Sequence, residues 1–109
     1  MTVAELISAC ELNVIHLADS SREISGGYTG DLLSWVMSRA DEGDAWITIM
    51  TNGNVAAVAQ LKEVACVVFA EGVQPDEDTL QKARLHDINL LSSPHDSFEL
   101  CARIARELK

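Results

Sequence analysis

Ser92-Ser93-Pro94-His95-Asp96 brings two hydroxyls, an imidazole and a carboxylate into one short segment. Those are the groups of nucleophilic catalysis. A working triad also needs a nucleophile held by its base and an oxyanion hole beside it. Near neighbours at a helix start do not readily adopt that geometry. The plainer reading is a capped helix with His95 and Asp96 in solvent. Thr51-Asn52-Gly53-Asn54 offers amides and a hydroxyl that could orient a polar ligand, and reads equally as a strand-to-helix turn. In Gly26-Gly27-Tyr28-Thr29-Gly30-Asp31, glycines ahead of a helix could cradle a phosphate, and Tyr28 could offer its ring to a base or a partner. The GxxxxGK[ST] pattern is absent, however, and Asp31 is better placed as a helix cap. Gly72 and Pro75-Asp76 form a further turn, and the carboxylates Asp76, Glu77 and Asp78 suit the positive end of a helix.

Hydrophobic spacing supplies the elements that carry these loops. Val3, Leu6, Ile7 and Cys10 predict a helix over Thr2 to Cys10, and Thr2 with Glu5 matches a capping box. Leu12 to Leu17 reads as a strand, with a short second strand near Ile24. A helix over Asp31 to Asp41 buries Leu32, Leu33, Val36, Met37 and Ala40 and is stopped by Gly43. Trp35 falls off that face and is the expected interface residue, since exposed Trp favours binding hot spots. It could instead pack under the glycine-rich loop.

Apolar strands at Trp46 to Met50, Ala65 to Ala70 and Ile88 to Leu91 alternate with helices over Asn54 to Glu63 and from Pro75-Asp76 to His86. Ser93 and Pro94 open a last helix, with Phe98, Cys101, Ala102, Ala105 and Leu108 as its buried stripe. Alternating elements with doubly apolar strands imply a single α/β domain over 1–109: a mainly parallel sheet of 4–5 strands with helices on both faces. In such sheets ligands bind beyond the strands' carboxyl ends. The loops expected to meet there are His16 to Asp19, Thr51 to Asn54, Glu71 to Asp76 and Ser92 to Asp96, with the Gly26 to Gly30 segment beside them.

Composition excludes several classes of function. Eight basic against 17 acidic residues, a net charge of −9, argue against nucleic acid and anionic membrane surfaces as partners. Neither a signal run nor a span of about 18 apolar residues is present, so a cytoplasmic location is expected. Cys10, Cys66 and Cys101 lack zinc spacing and read as buried reduced thiols. No metal and no cofactor is expected.

Gly30-Asp31-Leu32-Leu33-Ser34, Trp46-Ile47-Thr48-Ile49, Gly72-Val73-Gln74-Pro75-Asp76 and Leu91-Ser92-Ser93-Pro94-His95-Asp96-Ser97-Phe98, in that order and spacing, resemble a DRTGG domain. That family is similar to the N-terminal domain of bacterial HPr serine kinase/phosphorylase. The resemblance implies a regulatory or dimerising α/β domain, of the kind found beside phosphotransacetylase or nucleotide-sensing CBS modules. It marks Gly26, Gly27, Thr51, Asn54, Gly72, Pro75, Ser92, Ser93 and Asp96 as candidate ligand positions. The namesake Asp-Arg-Thr-Gly-Gly is absent, and Glu71 stands where relatives often carry Gly.

The expected function is a non-catalytic regulatory module. It senses a small ligand, with nucleotides among the candidates, or docks a protein, as a homodimer. A small nucleotide-binding protein or enzyme using His95 and Asp96, and a purely structural interaction domain, are the alternatives.

Overall fold

The computed structural model describes residues 1–108. Its elements run α1 (Val3–Cys10), β1 (Asn13–His16), β2 (Gly26–Thr29), α2 (Leu33–Arg39), β3 (Asp44–Thr48), α3 (Asn54–Lys62), β4 (Cys66–Phe69), α4 (Glu77–His86), β5 (Leu90–Ser92) and α5 (Ser97–Glu107). The five-stranded sheet has the order β1-β5-β4-β3-β2. From β2 to β5 neighbouring strands are parallel, while β1 lies antiparallel on β5.

The helix positions follow from that order. Each step from β2 to β5 moves the same way across the sheet, so right-handed crossovers place α2, α3 and α4 on one face. There Val36, Val55, Ala59 and Ala83 pack on Trp46, Val67, Phe69 and Leu90. The opposite face is covered by α1 and α5, through Val3, Leu6, Leu100 and Ile104 on Ile47, Cys66, Val68 and Leu91. Successive strand residues point to opposite faces and both faces are covered, which is why β3, β4 and β5 are buried along their whole length.

Local chemistry sets the ends. Thr2 Oγ1 accepts from the Glu5 amide at 3.2 Å and Glu5 Oε1 from the Thr2 amide at 2.8 Å, completing the expected capping box of α1. Asp76 and Asp96 cap α4 and α5, each accepting at 2.8 Å from the amide three residues on.

Several expectations are corrected. The second strand is Gly26–Thr29 and not the Ile24 region, although Ile24 is buried. Gly26, Gly27 and Tyr28 therefore lie in a strand, not in a phosphate-cradling loop. Asp31 does not cap α2, whose N-cap Leu32 makes no side-chain cap bond. It reaches instead across to β3. Gly43 lies beyond the end of α2, in the tight turn into β3, at φ 84° with its amide donating to Glu63 O. The last helix starts at Ser97, not at Pro94, because Asp96 supplies the cap.

The buried stripe of that helix is also rotated. Leu100 and Ile104 are buried, Cys101 and Leu108 half-buried, Ala105 exposed, and Phe98 86% exposed. Leu100 and Ile104 pack on the sheet face with Val3, Leu6 and Ile47, and the competing stripe that carries Phe98 is left outside.

Candidate functional site

Four parallel strands deliver four segments to one end of the sheet. After β2, Gly30 O accepts from Trp46 Nε1 at 3.0 Å, and Asp31 Oδ1 accepts from Thr48 Oγ1 at 2.7 Å and the Ile49 amide at 2.9 Å. Past β3, Thr51 O accepts from the Asp76 amide at 2.9 Å and lies 2.9 Å from Thr79 Oγ1, so the segment after β3 is bonded to the start of α4. Asn52 Oδ1 accepts from the Asn54 amide at 3.0 Å, and the Asp78–Lys82 pair, 3.0 Å apart, lies against Gly53.

The segments after β4 and β5 are joined. The Glu71 amide donates to His95 O at 2.8 Å and the Gly72 amide to Ser93 O at 3.0 Å. Glu71 Oε2 in turn accepts from the Ser97 amide at 3.1 Å, in the first turn of α5. Ser93 Oγ accepts from the His95 amide at 3.2 Å.

Thus Thr51, Asn52, Asn54, Gly72, Pro75, Asp76, Ser92, Ser93, His95 and Asp96 do share one rim. Ser92 and Ser93 are buried beneath it, and the Asp96 carboxylate is committed to its helix cap. The His16 to Asp19 loop does not join them, because β1 runs antiparallel and carries it to the other end of the sheet. The rim is acidic: Asp31, Glu71, Asp76, Glu77, Asp78 and Asp96 are all exposed. Donors from Thr79, side chain first and then backbone, hold the Asp76 carboxyl below the ordinary carboxylate range.

A second feature lies along the sheet's open edge. Gly27 and Thr29 of β2 and Ile47 of β3 form the floor of an apolar groove of about 320 Å³, walled by Cys101, Ile104, Ala105 and Leu108 of α5. It continues past Thr29 to Phe98 and Ala102. Gly27 has no side chain to fill this space, and Leu108 Cδ1 would be only 3.9 Å from a Cβ there. Gly26, Gly27 and Tyr28 border this groove and are separated from the rim's other candidates. Trp35 sits on α2, half exposed, with the Arg39 guanidinium carbon 3.7 Å from its ring centroid.

Sequence reasoning missed the α5 wall as an exposed surface and missed Asn89. Asn89 is 4% exposed and bridges strand and loop at the other end of the sheet. Its Oδ1 accepts from the Ala18 and Asp19 amides at 2.8 and 2.9 Å, and its Nδ2 donates to Asp19 O and Ala65 O at 2.9 and 3.0 Å. A polar cavity of about 380 Å³ opens there between Asp19, Arg22, Asp87 and Asn89. Burial pushes the Cys66 thiol up to about 12 and also raises that of Cys10. Among the described residues no group of three or more His, Cys, Asp or Glu could hold a metal ion, and no helix is long and apolar enough to cross a membrane.

Compared with known families, residues 5–107 match the DRTGG domain. No curated protein matches the chain. Among solved structures, the fold matches the crystal structure of the CBS and DRTGG domains of the regulatory region of Clostridium perfringens pyrophosphatase, complexed with activator, diadenosine tetraphosphate. The TM-score is 0.76 at 15% identity, over 98% of this chain and 47% of that one. The chain therefore spans about half the length of that solved region.

Proposed function

The chain belongs to the DRTGG domain family, and on that premise we propose that it is a non-catalytic regulatory module, acting as a homodimer by docking. Residues 1–109 act as one such domain, in the cytoplasm, akin to the N-terminal domain of HPr serine kinase/phosphorylase. The observation that carries the reading is the family match combined with an apolar groove of about 320 Å³ at the open sheet edge and an exposed Phe98 close by. Polar groups at the strand ends are engaged in tying loops together, as with Thr51 to Asp76 and Glu71 to His95. The sequence lacks a P-loop, and phosphoryl transfer needs a phosphate cradle and metal-holding residues.

A second reading, sensing of a small nucleotide at the rim, is supported by the solved regulatory region, which is complexed with diadenosine tetraphosphate. That ligand belongs to a region more than twice as long as this chain. The acidic rim here opposes a polyphosphate unless a cation accompanies it.

Native mass spectrometry followed by a thermal-shift screen separates the two. The docking reading expects no retained nucleotide and no shift with mono- or dinucleotides, diadenosine tetraphosphate included. A ligand present at about 100 times its Kd stabilises a protein by about 2.7 kcal/mol, so a rise of several degrees would transfer the function to the rim. Transfer of a γ-phosphate to a protein substrate would end the non-catalytic reading.

A further inference from the structure

The charges beside the apolar face of α5 are arranged to match a second copy of the same face. At 100° per residue, Phe98, Ala102 and Ala105 share one stripe, and Glu99 and Arg106, seven residues apart, share its edge. The stripe is bordered on its other side by Cys101 and Leu108, which form the groove wall. Arg106 is exposed and has no ion-pair partner among the described residues. Arg103 Nε donates to Glu99 Oε1 at 2.9 Å, leaving Oε2 to accept from elsewhere.

A two-fold axis crossing the stripe between Ala102 and Arg103 runs two α5 helices antiparallel. It sets Glu99 of each copy opposite Arg106 of the other. The same operation carries Phe98 of each copy to the level of Ala105 and Leu108 of the other, where the groove of about 320 Å³ opens. Charge and shape are thus both self-complementary under one axis. Ala102 at the crossing point permits close approach of the helices. An acidic chain of net charge −9 resists self-association in most orientations, and this one meets through an uncharged stripe flanked by opposite charges.

We propose that the outer face of α5, together with the groove against β2, is the homodimer interface, with Phe98 of each copy seated in the groove of the other and Glu99–Arg106 pairs closing it. This rests on the docking reading above and names its partner as a second copy of this chain. Each exposed Phe98 ring becomes the central buried anchor, and the ion pairs fix the register.

Sedimentation equilibrium over a wide concentration range, with native mass spectrometry, tests it. The wild-type chain is expected at twice 11.8 kDa. Phe98→Asp and Ala102→Arg alter exposed or half-buried positions, and each should raise the dimer Kd on the order of a hundredfold while far-UV circular dichroism is unchanged. Glu99→Arg and Arg106→Glu should each weaken the dimer, and the two together in one chain should restore it, because the swapped charges again face each other across the axis. A chain that is monomeric throughout overturns the proposal. So does a dimer indifferent to Phe98→Asp and Ala102→Arg, one dissolved instead by Trp35→Ala, or charge variants that weaken singly and fail to recover in combination. If the wild-type chain is monomeric yet stabilised by a nucleotide, the proposal falls while a regulatory function stands.

Discussion

Replacing Asn89 with alanine removes the side chain that fastens the loop after β1 to the start of β5 and the entry of β4. The amide makes four bonds, to the Ala18 and Asp19 N–H groups and to Asp19 O and Ala65 O. They are not equal in value. Ala18 and Asp19 are exposed residues, so water can replace Asn89 at their backbone, and those three bonds together amount to about 1–2 kcal/mol. Ala65 is 2% exposed, and stranding its carbonyl costs about 1–3 kcal/mol. The total is about 2–5 kcal/mol, against a typical whole-domain stability of about 5–15 kcal/mol. Urea unfolding followed by circular dichroism should show that loss, with a fall in Tm of about 10–20 °C.

Asn89→Asp serves as the chemical control. Its carboxylate can still accept from the two amides, but its second oxygen faces the Asp19 and Ala65 carbonyls and has no proton to give. Burial beside carbonyls raises the folded-state pKa of the new carboxyl above its unfolded value. The variant should therefore be most stable below the unfolded pKa and lose stability as pH rises through the folded one. A loss under about 1 kcal/mol for Asn89→Ala, or an aspartate variant with no added pH dependence, would refute the assignment of Asn89 as the fastening group.

Other outcomes follow from the same geometry. Gly43 and Gly72 both have positive φ, 84° and 70°, but a Cβ at Gly43 collides with Ser25 Oγ while one at Gly72 meets nothing within 4 Å. Gly72→Ala should cost about 1 kcal/mol from backbone strain alone, and Gly43→Ala clearly more, in paired denaturant titrations. Thiol labelling at pH 8 of the chain dissociated by Phe98→Asp should modify Cys101 first, because it is half-buried in the single chain, whereas Cys66 should react only on unfolding, with its thiol pushed up to about 12. The Asp76 carboxyl is held low by Thr79, so the stability it adds is present above its unfolded pKa and is lost as pH falls through the folded one. Asp76→Asn should flatten the acid limb of a Tm-against-pH curve while retaining the cap.

The sequence made the alternation of elements legible because burial on two faces leaves continuous apolar strands such as Cys66-Val67-Val68-Phe69. It could not show β2, whose Gly26-Gly27-Tyr28-Thr29 has almost no apolar signal. That strand forms because Tyr28 packs on the α2 face and the backbone registers on Asp44 to Ile47. Nor could it show the direction of β1. Hydrophobicity does not distinguish parallel from antiparallel pairing, and the error moved His16 to Asp19 to the wrong end of the sheet. In α5 two apolar stripes compete, and only the sheet's shape selects Leu100 and Ile104 over Phe98 and Ala102. The order of the strand-end turns was legible because turn chemistry is local, but the caps of α2 and α5 were not: Asp31 bonds to Thr48 and Ile49 across the sheet and not to α2, and Asp96, not Ser93, caps α5. The groove was not, because it depends on what Gly27 lacks beside a helix some 75 residues away.

The rim and the groove differ in one physical respect that bears on function. Consecutive crossovers from β2 to β5 stay on one face, so among the described residues the adjacent parallel strands whose following helices diverge are β4 and β5, leading to α4 and α5. In open parallel sheets such a divergence is where ligands enter. Here the Glu71 and Gly72 amides bridge it to His95 O and Ser93 O, and the Glu71 carboxylate occupies the first-turn amide of α5. An anionic ligand at that point has to displace a carboxylate already suited to the helix dipole. Across the sheet, the groove beside β2 offers apolar surface with no internal occupant, and Phe98 at 86% exposure is an apolar group with no cover. Water is expelled from both when each takes the other as its partner, whereas a nucleotide at the rim first has to break bonds the chain has already made.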